Sequence, residues 1–256
     1  SWGSRTLIPH LKGQPDADRP VAELWFGAHP GDPSTVDGRL LNEVIAEDPA
    51  GQLGSRVSAE YGERLPFLLK VLAAEEPLSL QAHPSKTQAE EGFARENAAG
   101  IELTASNRNY KDDNHKPELI VALTDFYAMA GFRPLARTRE LFAALECPEL
   151  DHYVAMLDDD PSATTESANL RVLFTTWITI PSAKRKELIS AIVAAGERLI
   201  AADPADWKAR VMSPVLDLNQ RYPGDIGVLG ALLLNHIELS PGEAVYLDAG
   251  QLHAYV

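Results

Sequence analysis

The chain has 256 residues, of which 45% are hydrophobic, and its formal net charge is −14 at pH 7. This length and apolar content allow one large domain or two ordinary ones around a buried core, and they exclude a disordered chain. A surface this acidic is not expected to bind nucleic acid. The chain has a single cysteine, Cys147, which excludes an internal disulfide framework. No apolar run reaches the ~20 residues of a membrane span.

The first third of the chain alternates between strand and helix patterns. A short helix is predicted over residues 37–47, where apolar residues recur at helical spacing. Ser85-Lys-Thr-Gln88 resembles a capping box and predicts a helix through Asn97, with Gly100 just past its end. Strands are predicted over residues 22–28, 65–72 and 77–83.

The second half contains a helical block between strand patterns. Residues 117–132 predict two strands, whereas residues 135–221 are rich in Ala, Leu, Glu and Arg with helical periodicity. Within this block we interpret Asp158–Pro161 as a solvated loop, since it lacks the ligand spacing and the glycine of a calcium loop. Strand patterns return at residues 236–239, 244–247 and 252–256.

This order predicts a mainly β fold with a helical insertion. We expect residues 1–133 to form the first part of a β domain, residues 134–221 a helical subdomain, and residues 222–256 the return to the first domain. The final run, residues 252–256, stops in the middle of a strand pattern, so we expect the chain to be a fragment that continues in the full-length protein.

The most informative segment is Tyr110-Lys-Asp-Asp-Asn-His-Lys-Pro-Glu118, which runs directly into the apolar strand pattern of residues 119–123. Charged groups packed against the start of a buried strand cost free energy unless a partner satisfies them. A metal ion or a bound anionic substrate would be such a partner.

Four side chains suit a metal ion. Gln81 and His83 are two residues apart in a predicted strand, so both point to one face. Glu118 opens another predicted strand and His253 lies in a third. Two imidazoles, a carboxylate and an amide oxygen suit zinc or another divalent first-row metal. The alternative for any single histidine is an ordinary hydrogen-bonding role.

The motif at residues 110–118 resembles the signature of type I phosphomannose isomerases. Further segments resemble this family in order: residues 2–4, 22–30, 65–72, 77–84 and 222–227. The segments around His83 and at residues 242–253 also resemble the two motifs of cupins, although Gln81 stands where many cupins have histidine and Asp248 where they often have proline. The resemblance implies a cupin-type jelly roll, truncated here, since the family's second signature continues past Val256 with a Glu and an Asp-Asn-x-x-Arg segment.

The family resemblance also implies an activity and a set of site residues. It implies one bound Zn²⁺ on Gln81, His83, Glu118 and His253, and interconversion of mannose 6-phosphate and fructose 6-phosphate through a cis-enediol. Lys116 is the first candidate for proton transfer or charge stabilisation, and His115 the second. The residues implied to line the sugar-phosphate pocket are Trp2, Glu23, Lys70, Ser79 and Tyr255.

Two other functions stay open at this point. His83, Glu118 and His253 would also make the two-histidine, one-carboxylate triad of a non-haem iron oxygenase. A non-catalytic cupin that binds sugar phosphates is the second alternative. The expected partner is a small sugar phosphate rather than nucleic acid or a membrane, a monomer is favoured, and the single cysteine favours a cytoplasmic location.

Overall fold

The computed structural model describes residues 2–157 and 162–256. By its internal contacts the chain divides into two compact units, Ser1–Pro77 and Leu78–Val256. This division falls at a different place from the boundary expected after residue 133, and the three-part domain scheme stays a prediction. The loop expected at Asp158–Pro161 lies outside the described residues.

The first unit contains a two-stranded antiparallel sheet of β1 (Glu23–Phe26) and β4 (Leu69–Leu72). In its register Trp25 lies opposite Lys70. Both strands lie inside predicted strand segments but are shorter than those segments. Pro66 has no N–H group to donate to a ladder, which fits the late start of β4.

A tight hairpin replaces the start of the helix predicted over residues 37–47. Strands β2 (Thr35–Val36) and β3 (Arg39–Leu40) pair across Asp37 and Gly38. These two residues have φ of 50° and 78°, as an Asp-Gly turn of the mirror-image type requires. The helix itself, α2, covers Leu41–Glu47.

Three further helices of this unit were not predicted from the pattern of apolar residues. They are α1 (Leu7–Leu11), α3 (Pro49–Leu53) and α4 (Ser55–Tyr61). Local signals account for α3: the Asp48 side chain accepts a hydrogen bond from Gly51 N, and Pro49 takes the first helical position.

The second unit opens with the predicted helix α5, Lys86–Ala98. Its capping box is confirmed, because Ser85 Oγ accepts from Gln88 N while Gln88 Oε1 accepts from Ser85 N. Gly100 follows the helix with φ of 70°, which a residue without Cβ adopts at no steric cost. The helix therefore begins and ends where sequence chemistry places it.

Two small antiparallel sheets carry the remaining strands of this unit. One pairs β5 (Glu118–Val121) with β8 (Ala244–Leu247), and the other has the order β7 (Leu234–Leu239), β6 (Phe126–Phe132), β9 (His253–Tyr255).

The strand predicted over residues 77–83 is wrong in this form. Its only ladder contact in the described structure is an isolated bridge between Gln81 and His253, supported by a bond from Leu78 N to Tyr255 O of 2.8 Å. Pro77 and Pro84 flank this segment and cannot donate, which limits a longer ladder.

The predicted helical block is confirmed in the residues described. Its core is apolar, and the helices over residues 182–202 and 207–221 approach closely where a Cβ on Gly196 would lie 2.6 Å from Met212 Cε. Cys147, between the first two helices, is 5% exposed, and burial raises the pKa of its thiol. The helices of the block are α6 (Leu135–Leu145), α7 (Pro148–Val154), α8 (Ala163–Thr179), α9 (Ser182–Ala202) and α10 (Trp207–Arg221). A short helix, α11 (Ile226–Ala231), follows the block.

The expectation of a mainly β chain is wrong for the described residues, in which helix exceeds strand. The strands have between two and seven residues, whereas α9 alone has 21. Loops occupy much of the length that was predicted as strand, so more residues lie in helices than in strands. No helix in the described ranges is both long enough and apolar enough to cross a membrane.

Candidate metal centre

Three segments of the second unit bring His83, Glu118 and His253 together. His83 follows the Gln81 bridge, Glu118 is the first residue of β5, and His253 is the first residue of β9. One ligand atom from each of the three lies within 4.8 Å of the others. These are three of the four side chains chosen as metal ligands from the sequence.

Glu118 is central to the cluster. Its Oε1 lies 3.1 Å from His83 Nε2, and its Oε2 lies 3.7 Å from His253 Nε2. The two imidazole rings have centroids 5.4 Å apart. Two donors about 2.0–2.1 Å from a tetrahedral zinc ion are separated by about 3.3 Å, so the cluster has the right scale for such an ion.

The hydrogen bonding of His253 fits a role as a ligand of a cation. Nδ1 of His253 lies 2.9 Å from Gln251 O and donates to it, so Nε2 is the ring nitrogen that is available to bind a metal ion. Among the described residues, this buried Nε2 has no hydrogen-bond partner. It faces a carboxylate oxygen of Glu118 across 3.7 Å, and a cation held between the two would satisfy both. A carbonyl that fixes the tautomer in this way is typical of zinc-binding histidines.

Tyr255 supports the same carboxylate. Its hydroxyl donates to Glu118 Oε2, and the residue is 4% exposed. Burial, with the hydrogen bond and negative charge of Glu118, raises the pKa of Tyr255. The phenol thus stays protonated and orients the Glu118 carboxylate, a role that the sequence did not indicate.

Gln81 is attached to the cluster through its backbone. Gln81 N donates to His253 O at 2.8 Å and His253 N to Gln81 O at 2.9 Å. Residues paired in this way carry side chains about 5 Å apart on one face of the ladder. The backbone therefore places the Gln81 side chain next to that of His253, while its role as a ligand stays a prediction.

The loop of residues 109–117, which we call the signature loop, precedes Glu118 and is anchored on α5. Glu96, 7% exposed, accepts hydrogen bonds from Asn109 N at 3.2 Å and Tyr110 N at 2.9 Å. Arg108 Nε lies 3.1 Å from the same carboxylate, and its side chain is fully buried. The Tyr110 ring lies against Gly92, where a Cβ would come within 2.5 Å of it. The anchoring roles of these residues were not predicted from the sequence.

The two residues chosen for proton transfer are exposed. Lys116 Nζ lies 2.9 Å from Asp112 Oδ2, and half of the Lys116 side chain is accessible. His115 is also exposed. Ser79, chosen for substrate binding, is exposed in the segment that leads to Gln81. Their catalytic or binding roles stay predictions.

The remaining chosen residues lie in the first unit. Glu23 Oε1 lies 3.4 Å from Lys70 Nζ. Trp25, which the sequence did not single out, donates from Nε1 to Glu23 Oε2 at 2.8 Å, and Lys70 Nζ lies 4.6 Å from its ring centroid. Trp2 is half-buried, and its carbonyl accepts a hydrogen bond from Glu75 N. The structure thus brings Glu23 and Lys70 together within this unit.

Residues 2–135 match the model of the type I phosphomannose isomerase catalytic domain. The chain belongs to this family. Over its full length it is 38% identical to the mannose-6-phosphate isomerase of Escherichia coli K12 and covers 63% of that protein.

Solved structures agree with this assignment. The apo mannose 6-phosphate isomerase of Salmonella typhimurium matches the whole chain at 36% identity with a TM-score of 0.83. A structure of that enzyme bound to fructose 6-phosphate and zinc matches with a TM-score of 0.82. The chain spans about 62% of the length of these structures, and its fold is that of the matching part.

Proposed function

We propose that this chain binds one zinc ion through Gln81, His83, Glu118 and His253 and carries the metal centre of a mannose-6-phosphate isomerase. The observation that carries the proposal is the partnerless, buried Nε2 of His253 beside the Glu118 carboxylate. Membership of the family favours isomerisation over the oxygenase that the same triad would permit. The reaction proposed is interconversion of mannose 6-phosphate and fructose 6-phosphate.

The donor set fits zinc. Two imidazole nitrogens, one carboxylate and one amide oxygen are ligands that zinc accepts in a tetrahedral site. The Salmonella typhimurium relative has been solved with fructose 6-phosphate and zinc bound. When bound, the ion would polarise a sugar oxygen and stabilise negative charge that develops on it. The protein's own contribution is to fix the ligands, which Gln251 O does for His253 and Tyr255 for Glu118.

Proton transfer is assigned to the signature loop. In the proposed reaction a proton moves between C2 and C1 of the sugar, so one group must reach both carbons. Lys116 lies two residues before Glu118 and half of its side chain is accessible, which supports its assignment as the acid/base or as the cation beside the enediolate. In this role the Lys116 ammonium would leave its ion pair with Asp112 and contact the substrate instead. His115, also accessible, is the second candidate.

Substrate contacts are proposed for five residues on the family resemblance. Ser79 is exposed, and Lys70 keeps an accessible ammonium beside Glu23 and the Trp25 ring, so a phosphate oxygen can approach it. For Tyr255 the bond to Glu118 adds a structural role to the proposed contact. The five residues are Trp2, Glu23, Lys70, Ser79 and Tyr255.

Two finer features of the fold are also proposals. We propose that the small antiparallel sheets belong to a cupin-type jelly roll and that residues 134–221 form a helical subdomain inserted into it. The paired short strands around the cluster support the first, and the apolar core of the helical block supports the second. A monomer in the cytoplasm, with a sugar phosphate as its partner, completes the proposal.

The test combines zinc binding with turnover. Zinc affinity of this chain would be measured by competition with a chromophoric chelator, and conversion of mannose 6-phosphate would be assayed with this chain and with the complete product of its gene. We expect zinc binding that His253→Ala abolishes and His152→Ala, a substitution of an exposed histidine, leaves intact. We also expect turnover by the complete product that a chelator stops.

Three outcomes would overturn the proposal. Absence of zinc binding by the unmodified chain would remove the metal centre. Zinc binding without isomerase turnover by the complete product would leave a sugar-phosphate-binding protein, and iron-dependent oxygen consumption would identify an oxygenase instead.

A further inference from the structure

In the sequence, the N-terminus of α5 lies between two of the proposed metal ligands, His83 and Glu118. His83 is followed by Pro84, by the helix cap Ser85 and by Lys86, the first residue of the helix. The chain that leaves one ligand thus enters α5 within three residues. Any group at this end of the helix that also contacts the chain before Glu118 would couple the two ligand-bearing segments.

Lys86 makes that contact. Its Nζ donates to Asp113 O at 2.9 Å and to Asn114 Oδ1 at 3.2 Å. Both acceptors lie four or five residues before Glu118. A third neighbour of the ammonium is Glu90 Oε1 at 3.3 Å, one turn along the same helix. Two of the three partners of Lys86 therefore belong to the signature loop, 27 and 28 residues away in sequence.

The loop is held at its other end as well. Glu96 binds Asn109 N and Tyr110 N near the C-terminus of α5. The loop therefore runs along the helix between two anchors, and the Lys86 anchor is the one nearer to Glu118. Loss of it would free the residues that directly precede the carboxylate.

We propose that Lys86 is a positioning residue of the metal centre, which sets the separation of His83 and Glu118 by tying the start of α5 to Asp113 and Asn114. The inference rests on the proposed zinc site. The effect is transmitted through the backbone, since the partners of Lys86 Nζ in the described part of the chain are Asp113, Asn114 and Glu90, none of which is a proposed ligand. Partners of metal ligands change metal affinity by roughly 10- to 100-fold when removed, and Lys86 acts one step further out and is partly exposed.

Electrostatics and positioning predict opposite results for Lys86→Met. Removal of a positive charge near a divalent cation makes zinc binding tighter if charge alone matters. Removal of the loop anchor makes binding weaker. The sign of the change in zinc affinity therefore distinguishes the two effects.

The experiment measures zinc affinity by chelator competition and site geometry by the visible absorption of bound Co²⁺, in the whole chain. We expect Lys86→Met to bind zinc about threefold to tenfold more weakly and to alter the Co²⁺ spectrum, with an unchanged melting temperature of the metal-free protein. Lys86→Arg should restore most of the affinity because it keeps donors at this position. Lys184→Met is the matched control, since Lys184 is an exposed lysine in the first turn of α9.

Other outcomes are equally decisive. Equal or tighter zinc binding by Lys86→Met, while the unmodified chain binds zinc, would overturn the positioning role and leave the proposed function intact. A loss matched by Glu90→Gln would assign the effect to the ion pair within α5, against the inference. Absence of zinc binding by the unmodified chain would overturn the proposed function and the inference with it.

Discussion

Glu96 and Glu118 lie on either side of the signature loop and differ in what surrounds them. The Glu96 carboxylate receives the N–H groups of Asn109 and Tyr110 and faces the buried guanidinium of Arg108. Glu118 has partners in His83 and Tyr255, but it also lies beside His253 Nε2, a buried nitrogen that has no hydrogen-bond partner among the described residues. The two carboxylates have the same chemistry, and they differ in that only Glu118 has an unsatisfied polar neighbour.

This difference separates a structural carboxylate from a candidate ligand. A buried polar group with all its hydrogen bonds made stabilises the fold and has no capacity left for a ligand. A cluster that leaves a buried lone pair facing a carboxylate is incomplete without a cation. In this chain the incomplete cluster is the one assembled from residues distant in sequence, His83, Glu118 and His253.

The largest expected effect is that of Glu118→Gln on zinc binding. The substitution removes the negative charge at the centre of the cluster, and we expect zinc affinity to fall by about 100-fold or more. The melting temperature of the metal-free protein should change little, because the amide oxygen of the new side chain can still accept the hydrogen bond of Tyr255. Competition titration and thermal unfolding check both parts, with Glu238→Gln, on an exposed position of β7, as the control. A change in zinc affinity of less than tenfold would contradict the assignment of Glu118 as a metal ligand.

The converse is expected for Glu96→Gln. It leaves the buried Arg108 without its counter-charge and turns an amide group toward N–H donors, so the metal-free protein should melt several degrees lower. Glu91→Gln, at an exposed position of the same helix, should leave the melting temperature unchanged. A zinc affinity that falls as steeply as in Glu118→Gln, without loss of stability, would erase the distinction between the two carboxylates.

The pH dependence of stability adds a second readout at Glu96. Hydrogen bonding, first from Tyr110 N, holds the pKa of Glu96 below its ordinary value of 4.5. Because the folded pKa is the lower one, this stabilisation is complete above about 4.5 and is lost as the pH falls through the folded pKa. Thermal unfolding between pH 3 and pH 7 should therefore show less acid destabilisation in Glu96→Gln than in the unmodified chain, starting from a lower stability.

A separate effect on stability is expected for Gly92→Ala. The new Cβ would lie 2.5 to 2.6 Å from ring atoms of Tyr110, so either the ring or the helix must shift. We expect a loss of about 1–3 kcal/mol in the free energy of unfolding, reduced by the better helix propensity of alanine. Denaturant unfolding measures it, and the added Tyr110→Leu should recover part of the loss. An undiminished loss in the double variant would place the strain elsewhere.

The residues that carry chemistry could be found from the sequence because they lie in short, unusual patterns. Alternation placed Gln81 and His83 on one face, and the capping box at Ser85 predicted the start of α5. The choice of ligands as a set came from the family resemblance, since the residues alone also allowed an iron triad. The structure then brought His83, Glu118 and His253 together.

Features that depend on distant contacts could not be predicted in the same way. Nothing local in Lys86 or Glu96 indicates that their partners lie in the signature loop. The strand expected over residues 77–83 failed because flanking prolines matter as much as alternation. The short helices α3 and α4 depend on caps and glycines rather than on apolar periodicity, which is too short to detect in five or seven residues.

The buried thiol of Cys147 has a practical consequence for the chemistry that can be done on this chain. It is the single cysteine, and burial raises its pKa, so alkylating reagents that need an accessible thiolate react with it slowly. A cysteine introduced at an exposed position, such as Lys12, would therefore be the preferred target of a maleimide-linked fluorophore or spin label without prior removal of the native residue. The chain is in this sense already prepared for site-specific labelling.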